Sequence, residues 1–334
     1  MDLCKIALIA ANRLAAARQV YSYYLATMQA IVYKSTGSWY IVKNNEGQSY
    51  NTRIKGKFKI DGITSTNPIA VGDIVEIENE ADLESTIITE IYERKNYINR
   101  VSPHNKNQHH IVAANLDQSL LFATLKDPKT SLGFIDRFLI ISEAYHVPAI
   151  IVFNKADLLG KKENEKLKLI REIYEPIGYK IMLMSLEKME GVEAVKDLLK
   201  DKTTLLSGHS GVGKSTFINY IFPELGLKTQ DVSDWSGKGL HTTTFAEMFD
   251  LPFGGRIIDT PGIREMGLVD ISKQELAHYL PEMRAVMNQC QFNNCIHLDE
   301  PECAVKEAVN KGIIHTERYI SYLNIRDTIT EKSY

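Results

Sequence analysis

The sequence predicts a multidomain α/β protein of three consecutive units. These are an N-terminal β-barrel of the OB type, a doubly wound α/β domain, and a helical C-terminal module built around a metal. Three observations carry this prediction. Short alternating segments run from Met28 to about Arg100. Apolar strands and amphipathic helices then alternate up to about Asp270, the pattern of a parallel sheet covered on both faces. Three of the four cysteines fall in one window with a histidine among them. The expected divisions are 28–100, 101–270 and 271–334, after an extension over 1–27.

The 334 residues suffice for two or three domains. A net charge of −3 does not mark a nucleic-acid binder, so any RNA contact must come from local patches. Clustered cysteines argue against a disulfide framework and for a metal in a reducing compartment. The opening "MDLCKIALIAANRLAAARQVYSYYLAT" is interrupted by Lys5, Arg13 and Arg18, so it cannot supply a membrane span. Its apolar run is short and followed by charge, unlike a secretion leader. It reads as a frayed helical extension, with Met28 as an alternative start. A cytoplasmic monomer without membrane contact is expected.

In the barrel, "QAIVYKSTGSWYIVKN", "SYNTRIKGKFKI", "PIAVGDIVEIEN" and "STIITEIYER" read as strands separated by turns. In "RIKGKFK", Arg53, Lys55, Lys57 and Lys59 take every second position and share one face of a strand. Tyr40 and Tyr50 lie nearby. Two readings stay open: an RNA-binding face, or a solvated edge strand whose lysines block aggregation. "RVSPHNKNQHHIVAANLDQ" (Arg100–Gln118) reads as a linker.

Beyond it, "SLLFATL", "PAIIVFNKAD", "YKIMLMS" and "KTTLLSG" read as buried strands. "SLGFIDRFLIISEAYH", "ENEKLKLIREIYEPIG", "EGVEAVKDLLK" and "KSTFINYIF" read as the helices between and after them. "FAEMFDLPFGGRIIDTPG" adds a hairpin whose second arm ends at Asp259.

"GHSGVGKS" (Gly208–Ser215) fits the phosphate-loop pattern, after a strand and before a helix. Gly208, Gly211 and Gly213 leave room for backbone N–H groups, those of His209, Ser210, Val212 and Thr216 included, to wrap phosphates. The helix adds its positive end. Lys214 is placed to reach the β and γ phosphates, and Ser215 to hold magnesium. "NKAD" supplies a guanine reader. Asp157 accepts from the two guanine donors that adenine lacks, Asn154 serves the O6/N7 edge and ties this loop to the phosphate loop, and Lys155 lays its stem over the base. Ser185, ending "IMLMS", is expected to support the base with its backbone N–H, although Leu186 replaces the usual small residue after it.

"DTPG" places Asp259 on magnesium through water and the Gly262 N–H on the γ-phosphate. "GKGLHTTT" is the first switch, where Thr243, with Thr244 second, completes the magnesium shell. A water-orienting glutamine is missing: Ile263 stands in its place, and His241 is the nearest polar candidate.

The base reader precedes the phosphate loop in this chain. That order still makes a site, because loops gather at the carboxyl ends of the strands whatever the chain order. Joining the old termini and cutting one exposed loop keeps every loop in place.

"CQFNNCIHLDEPEC" spaces Cys290, Cys295, His297 and Cys303 as C-x4-C-x-H-x5-C. Three thiolates and an imidazole suit a closed, structural zinc. The permuted motif order, this cluster, "RIKGKFK", "AANLDQ" and "ERYISYL" together resemble the RsgA (YjeQ) family, circularly permuted GTPases of bacterial small-ribosomal-subunit biogenesis. The resemblance runs from about Met28 to the C-terminal helix. It implies an RNA-facing barrel, binding to the small ribosomal subunit and its rRNA, and slow hydrolysis of GTP to GDP stimulated by the ribosome. It also implies GTP or GDP with Mg2+ and one structural Zn2+. The alternative is a GTP-latched RNA-binding protein with little hydrolysis of its own.

Overall fold

The computed structural model describes residues 27–37, 39–54, 68–79, 86–101, 109–226, 246–259 and 271–329. The N-terminal extension up to residue 26, Lys55, Lys57, Lys59, His241, Thr243, Thr244, Gly262 and Ile263 lie outside the described residues.

Strands β1 (Met28–Ser35), β2 (Tyr40–Asn44), β3 (Ser49–Ile54), β4 (Ile74–Asn79) and β5 (Thr86–Ile91) form the expected barrel. β1 pairs with both β2 and β4, β3 runs parallel to β5, and β4 pairs with β5, so the sheet closes on itself. Alternate residues point inward: Ala30, Val32, Val42, Val75, Ile77 and Ile88 make the core. Tyr40, expected beside the basic face, is instead buried in this core. Its place on the inward register of β2 decides this, and the neighbouring Trp39 carries the exposed ring, 49% accessible. Arg53 does face outward, next to an inward Thr52 whose hydroxyl donates to the Thr86 carbonyl at 2.9 Å.

Among its described residues, the expected linker is largely strand. β6 (Tyr97–Val101) pairs antiparallel with β7 (His109–Ala114). A polar composition concealed it, because most of its pairing partner lies outside the segment. Asn96 fixes the base of this hairpin by exchanging hydrogen bonds with the Leu116 backbone at 2.8 and 2.9 Å.

The α/β domain follows as β8 (Gln118–Ala123), α1 (Leu132–Ala144), β9 (Ala149–Phe153), α2 (Lys161–Tyr174), β10 (Lys180–Leu183), α3 (Val192–Leu199), β11 (Thr203–Ser207), α4 (Lys214–Ile221), β12 (Glu247–Asp250) and β13 (Arg256–Asp259). The sheet order is β10-β9-β8-β11-β13-β12, parallel except for β12. Successive strand residues feed opposite faces. Leu121, Ile151, Leu205 and Ile258 pack under α1 and α2, while Leu120, Val152, Leu206 and Ile257 pack under α3 and α4. β12 also meets β1 at Lys34 and Glu247, which joins the barrel to the sheet edge.

The C-terminal module contains α5 (Pro281–Arg284), α6 (Ala304–Asn310) and α7 (Thr316–Asp327) with short 3-10 turns. Its core of Leu276, Leu280, Met283, Val305, Ile314 and Tyr322 takes in Ile140 from α1. Among the described residues, no helix is long and apolar enough to cross a membrane.

Candidate nucleotide site and metal centre

β9 and β11 flank β8 and end on the same side, so their following loops meet. The meeting is a hydrogen bond: Asn154 Nδ2 donates to the Val212 carbonyl at 2.8 Å. One N–H of that amide thus ties the base reader to the phosphate loop, and the other remains for a ligand. Gly213 is required at this contact. It has φ 95°, and a Cβ there would lie 2.2 Å from Asn154 Nδ2. Gly208, at φ 138°, leaves β11 so close to β8 that a Cβ would meet the Phe122 carbonyl oxygen at 2.2 Å. Glycine is dictated at both positions by conformation and by space.

Lys214 opens α4 and folds back over the loop. Its Nζ donates to the carbonyls of Gly208 and His209, the latter at 3.0 Å. Burial pushes its ammonium down to about 8, against the opposing pull of Asp259. An arriving phosphate reverses this, since it restores an anionic partner to a charge stripped of water. Asp259 ends β13 opposite Leu206 of β11, which brings it to the entrance of the phosphate loop. Ser215 lies one residue into α4, half-buried, and Thr216 beside it is exposed.

In the base reader, Lys155 holds a left-handed backbone, φ 60° and ψ 40°, and its Nζ donates to the Asp127 carbonyl. Asp157 accepts from the Ser185 hydroxyl at 2.5 Å. Ser185 therefore stands at the site, but not in the way expected. Its backbone N–H already donates to the Glu190 carbonyl at 2.9 Å, in a two-way bridge with that residue. The next N–H, that of Leu186, has no hydrogen-bond partner among the described residues. The sequence drew attention to its side chain; only the bridge shows that the neighbouring backbone donor is the one left over.

The four predicted metal ligands converge. Cys290, Cys295 and Cys303 place Sγ at 3.7, 3.3 and 3.4 Å from His297 Nδ1, and all four ligand atoms lie within 4.8 Å of one another. Sulfur and nitrogen bound to one tetrahedral zinc are separated by about 3.5 Å, so the set fits that ion. Burial pushes the Cys295 thiol up to about 12, with Cys303 and Cys290 adding to the rise against a backbone N–H from His297. Burial also lowers His297, which keeps its imidazole neutral. Three thiols packed this way ionise readily only around a cation. The knuckle is braced from outside. Glu300 accepts the N–H groups of Ile296 and Leu298 at 2.8 and 2.7 Å, and the hydroxyls of Tyr322 and Tyr319 donate to the carbonyls of Ile296 and His297.

One structural feature escaped the sequence reading. Arg318 of α7, 1% exposed, pairs with Asp136 of α1 and with Glu282 of α5, and Tyr174 donates to Asp136 at 2.6 Å. Burial alone would lower the guanidinium; the two carboxylates outweigh it and hold Arg318 above its ordinary range. No spacing rule connects residues this far apart in the chain.

A phosphate loop tied to a base reader that precedes it in the chain, on a parallel sheet with a barrel at one edge, defines a circularly permuted P-loop GTPase. Residues 91–269 match the RsgA GTPase family and residues 29–87 the RsgA N-terminal domain. The chain belongs to the RsgA family. A protein named small ribosomal subunit biogenesis GTPase RsgA from Flavobacterium psychrophilum is 50% identical over 300 residues, 89% of this chain and 92% of that one. Its counterpart from Cytophaga hutchinsonii is 52% identical over 89% of this chain and 97% of its own. YjeQ from Thermotoga maritima superposes with a TM-score of 0.73 at 33% identity, covering 92% of this chain and all of that structure. YloQ, a circularly permuted GTPase, gives a TM-score of 0.69 at 28% identity, over 92% of this chain and 98% of its own.

Proposed function

We propose that this chain binds the small ribosomal subunit through its rRNA and assists its late maturation, with GTP hydrolysis stimulated by the subunit. The observation that carries the proposal is the Asn154–Val212 tie, which joins base reader and phosphate loop in permuted order within a family whose members bear that name. Asp157, held by the Ser185 hydroxyl, reads the guanine donors, and the Leu186 N–H takes over the support of the base expected from the Ser185 N–H. Gly208 to Thr216 bind the phosphates, and Gly262 senses the γ-phosphate. Magnesium is held by Ser215, Thr243 and Asp259, and His241 orients the attacking water. Zinc is held by Cys290, Cys295, His297 and Cys303, where it supplies folding energy rather than chemistry. Arg53, Lys55, Lys57 and Lys59 face RNA. The protein works as a cytoplasmic monomer divided near residues 100 and 270.

The test is multiple-turnover phosphate release with and without small subunits, with Lys214→Ala as control. Stimulation by subunits supports the proposal; GTP-dependent subunit binding with no turnover selects the latch reading instead. Asp157→Asn is expected to weaken GTP at least tenfold and to favour xanthosine triphosphate. Equal affinity of the wild type for ATP and GTP would refute the base reader.

A further inference from the structure

Phe134 belongs to none of the motifs above, yet its ring lies flat on His209, with centroids 3.7 Å apart and 30° between the planes. Its position is fixed from its own helix. Ser131 caps α1, and its hydroxyl accepts the Phe134 N–H at 3.2 Å. His209 is the second residue of the phosphate loop, and its carbonyl accepts from Lys214. An ammonium has three N–H donors. Two are spent on Gly208 and His209, so the positions of those carbonyls set the direction of the third.

The loop needs such a restraint. Its apex, Ser210–Gly211, contains a glycine of free backbone and an exposed serine. On one side of the apex Asn154 grips the Val212 carbonyl. On the other side Lys214 holds the His209 carbonyl and the Phe134 ring stacks on the His209 side chain. We propose that Phe134 is a positioning residue for the phosphate loop: by seating His209 it fixes the carbonyl pair that aims the third N–H of Lys214 at the nucleotide phosphates. The proposal rests on the phosphate-binding role of Gly208–Ser215. A seated loop binds phosphate without first losing conformational entropy, so the contribution is one of preorganisation.

The experiment uses the full chain and a fluorescent GDP. Phe134→Ala and His209→Ala are each expected to weaken it by about two- to tenfold, the range for loss of a stacked aromatic pair. The double variant is expected to be no weaker than the worse single, and Phe134→Tyr to retain wild-type affinity. In turnover, the loss falls in KM rather than kcat. A pH series separates positioning from mere packing. With Lys214 near 8 through burial and facing Asp259, nucleotide binding takes up a proton above that pH. Wild-type affinity therefore falls between pH 8 and 9, by up to about tenfold per unit. In the alanine variants the loosened lysine regains water, and the fall begins at higher pH. A double variant equal to the product of the singles, a pH onset that does not move, or unchanged affinity in His209→Ala overturns the proposal. If Phe134→Ala fails to fold, Phe134→Leu, which keeps the bulk and loses the ring, carries the same comparison.

Discussion

The ion pairs that join the α/β domain to its two neighbours differ in their access to water. At the barrel, buried Tyr33 and Val71 join the core of the α/β domain, but the charged contacts around β12 are wet. Asp250 of β12 receives the Tyr33 hydroxyl at 2.5 Å and Lys43 at 2.7 Å from the barrel, and Arg256 of its own domain at 3.3 Å, while Lys34 meets Glu247 at 2.9 Å. These charged side chains keep between 29 and 47% of their surface in water. At the C-terminal module, Arg318, Asp136 and Glu282 are all but sealed, and Ile140 is driven into the core on the far side. Exposed ion pairs contribute little and weaken with salt, whereas a sealed triad costs several kcal/mol to break. The charged joint at the barrel is thus soft and the one at the C-terminal module stiff. The soft joint sits on the β12–β13 hairpin, which lies between the two expected switch segments in the chain. The stiff one sits on α1, whose Phe134 touches the phosphate loop.

The contrast can be broken in three ways, in order of size. Removing the proposed zinc, by chelation or by Cys303→Ser, is expected to withdraw about 10–16 kcal/mol of ligation energy. The C-terminal module is expected to lose protection from hydrogen exchange while the barrel keeps its own. Equal loss in both units would mean that the joints are alike. Next, Arg318→Ala leaves two buried carboxylates facing each other and is expected to destabilise by about 3–5 kcal/mol in denaturant unfolding. A loss below 1 kcal/mol would show that the triad is wet in solution. The smallest effect is expected from Asp250→Ala, at most about 1 kcal/mol and shrinking as salt is raised. A salt-independent loss of several kcal/mol there would make the barrel joint as stiff as the other.

Much of this was legible in the chain itself. Gly208, Gly213, Lys214 and Ser215 are spaced by the geometry of a loop that wraps phosphate, so the spacing is the chemistry. The same holds for Cys290, Cys295, His297 and Cys303, whose separations are short enough for local folding to bring them together. Strand alternation announced the barrel and the two-faced sheet, because the side-chain period is a property of the backbone. Where expectation failed, a partner outside the motif had intervened. The segment beginning at His109 became a strand because β6 offered an edge. Tyr40 went inward because register in a closed barrel leaves no choice. Ser185 gave its hydroxyl rather than its N–H because Glu190 had taken the N–H.

The sequence by itself determined which ligands the loops can read, since donor patterns and glycine positions are written locally. Only the tertiary structure decided how the units are coupled. Asp136, Glu282 and Arg318 are three ordinary charged residues in the chain. They become a joint because folding removes water from all three at once, and a charge without water must find its opposite wherever the fold has put it.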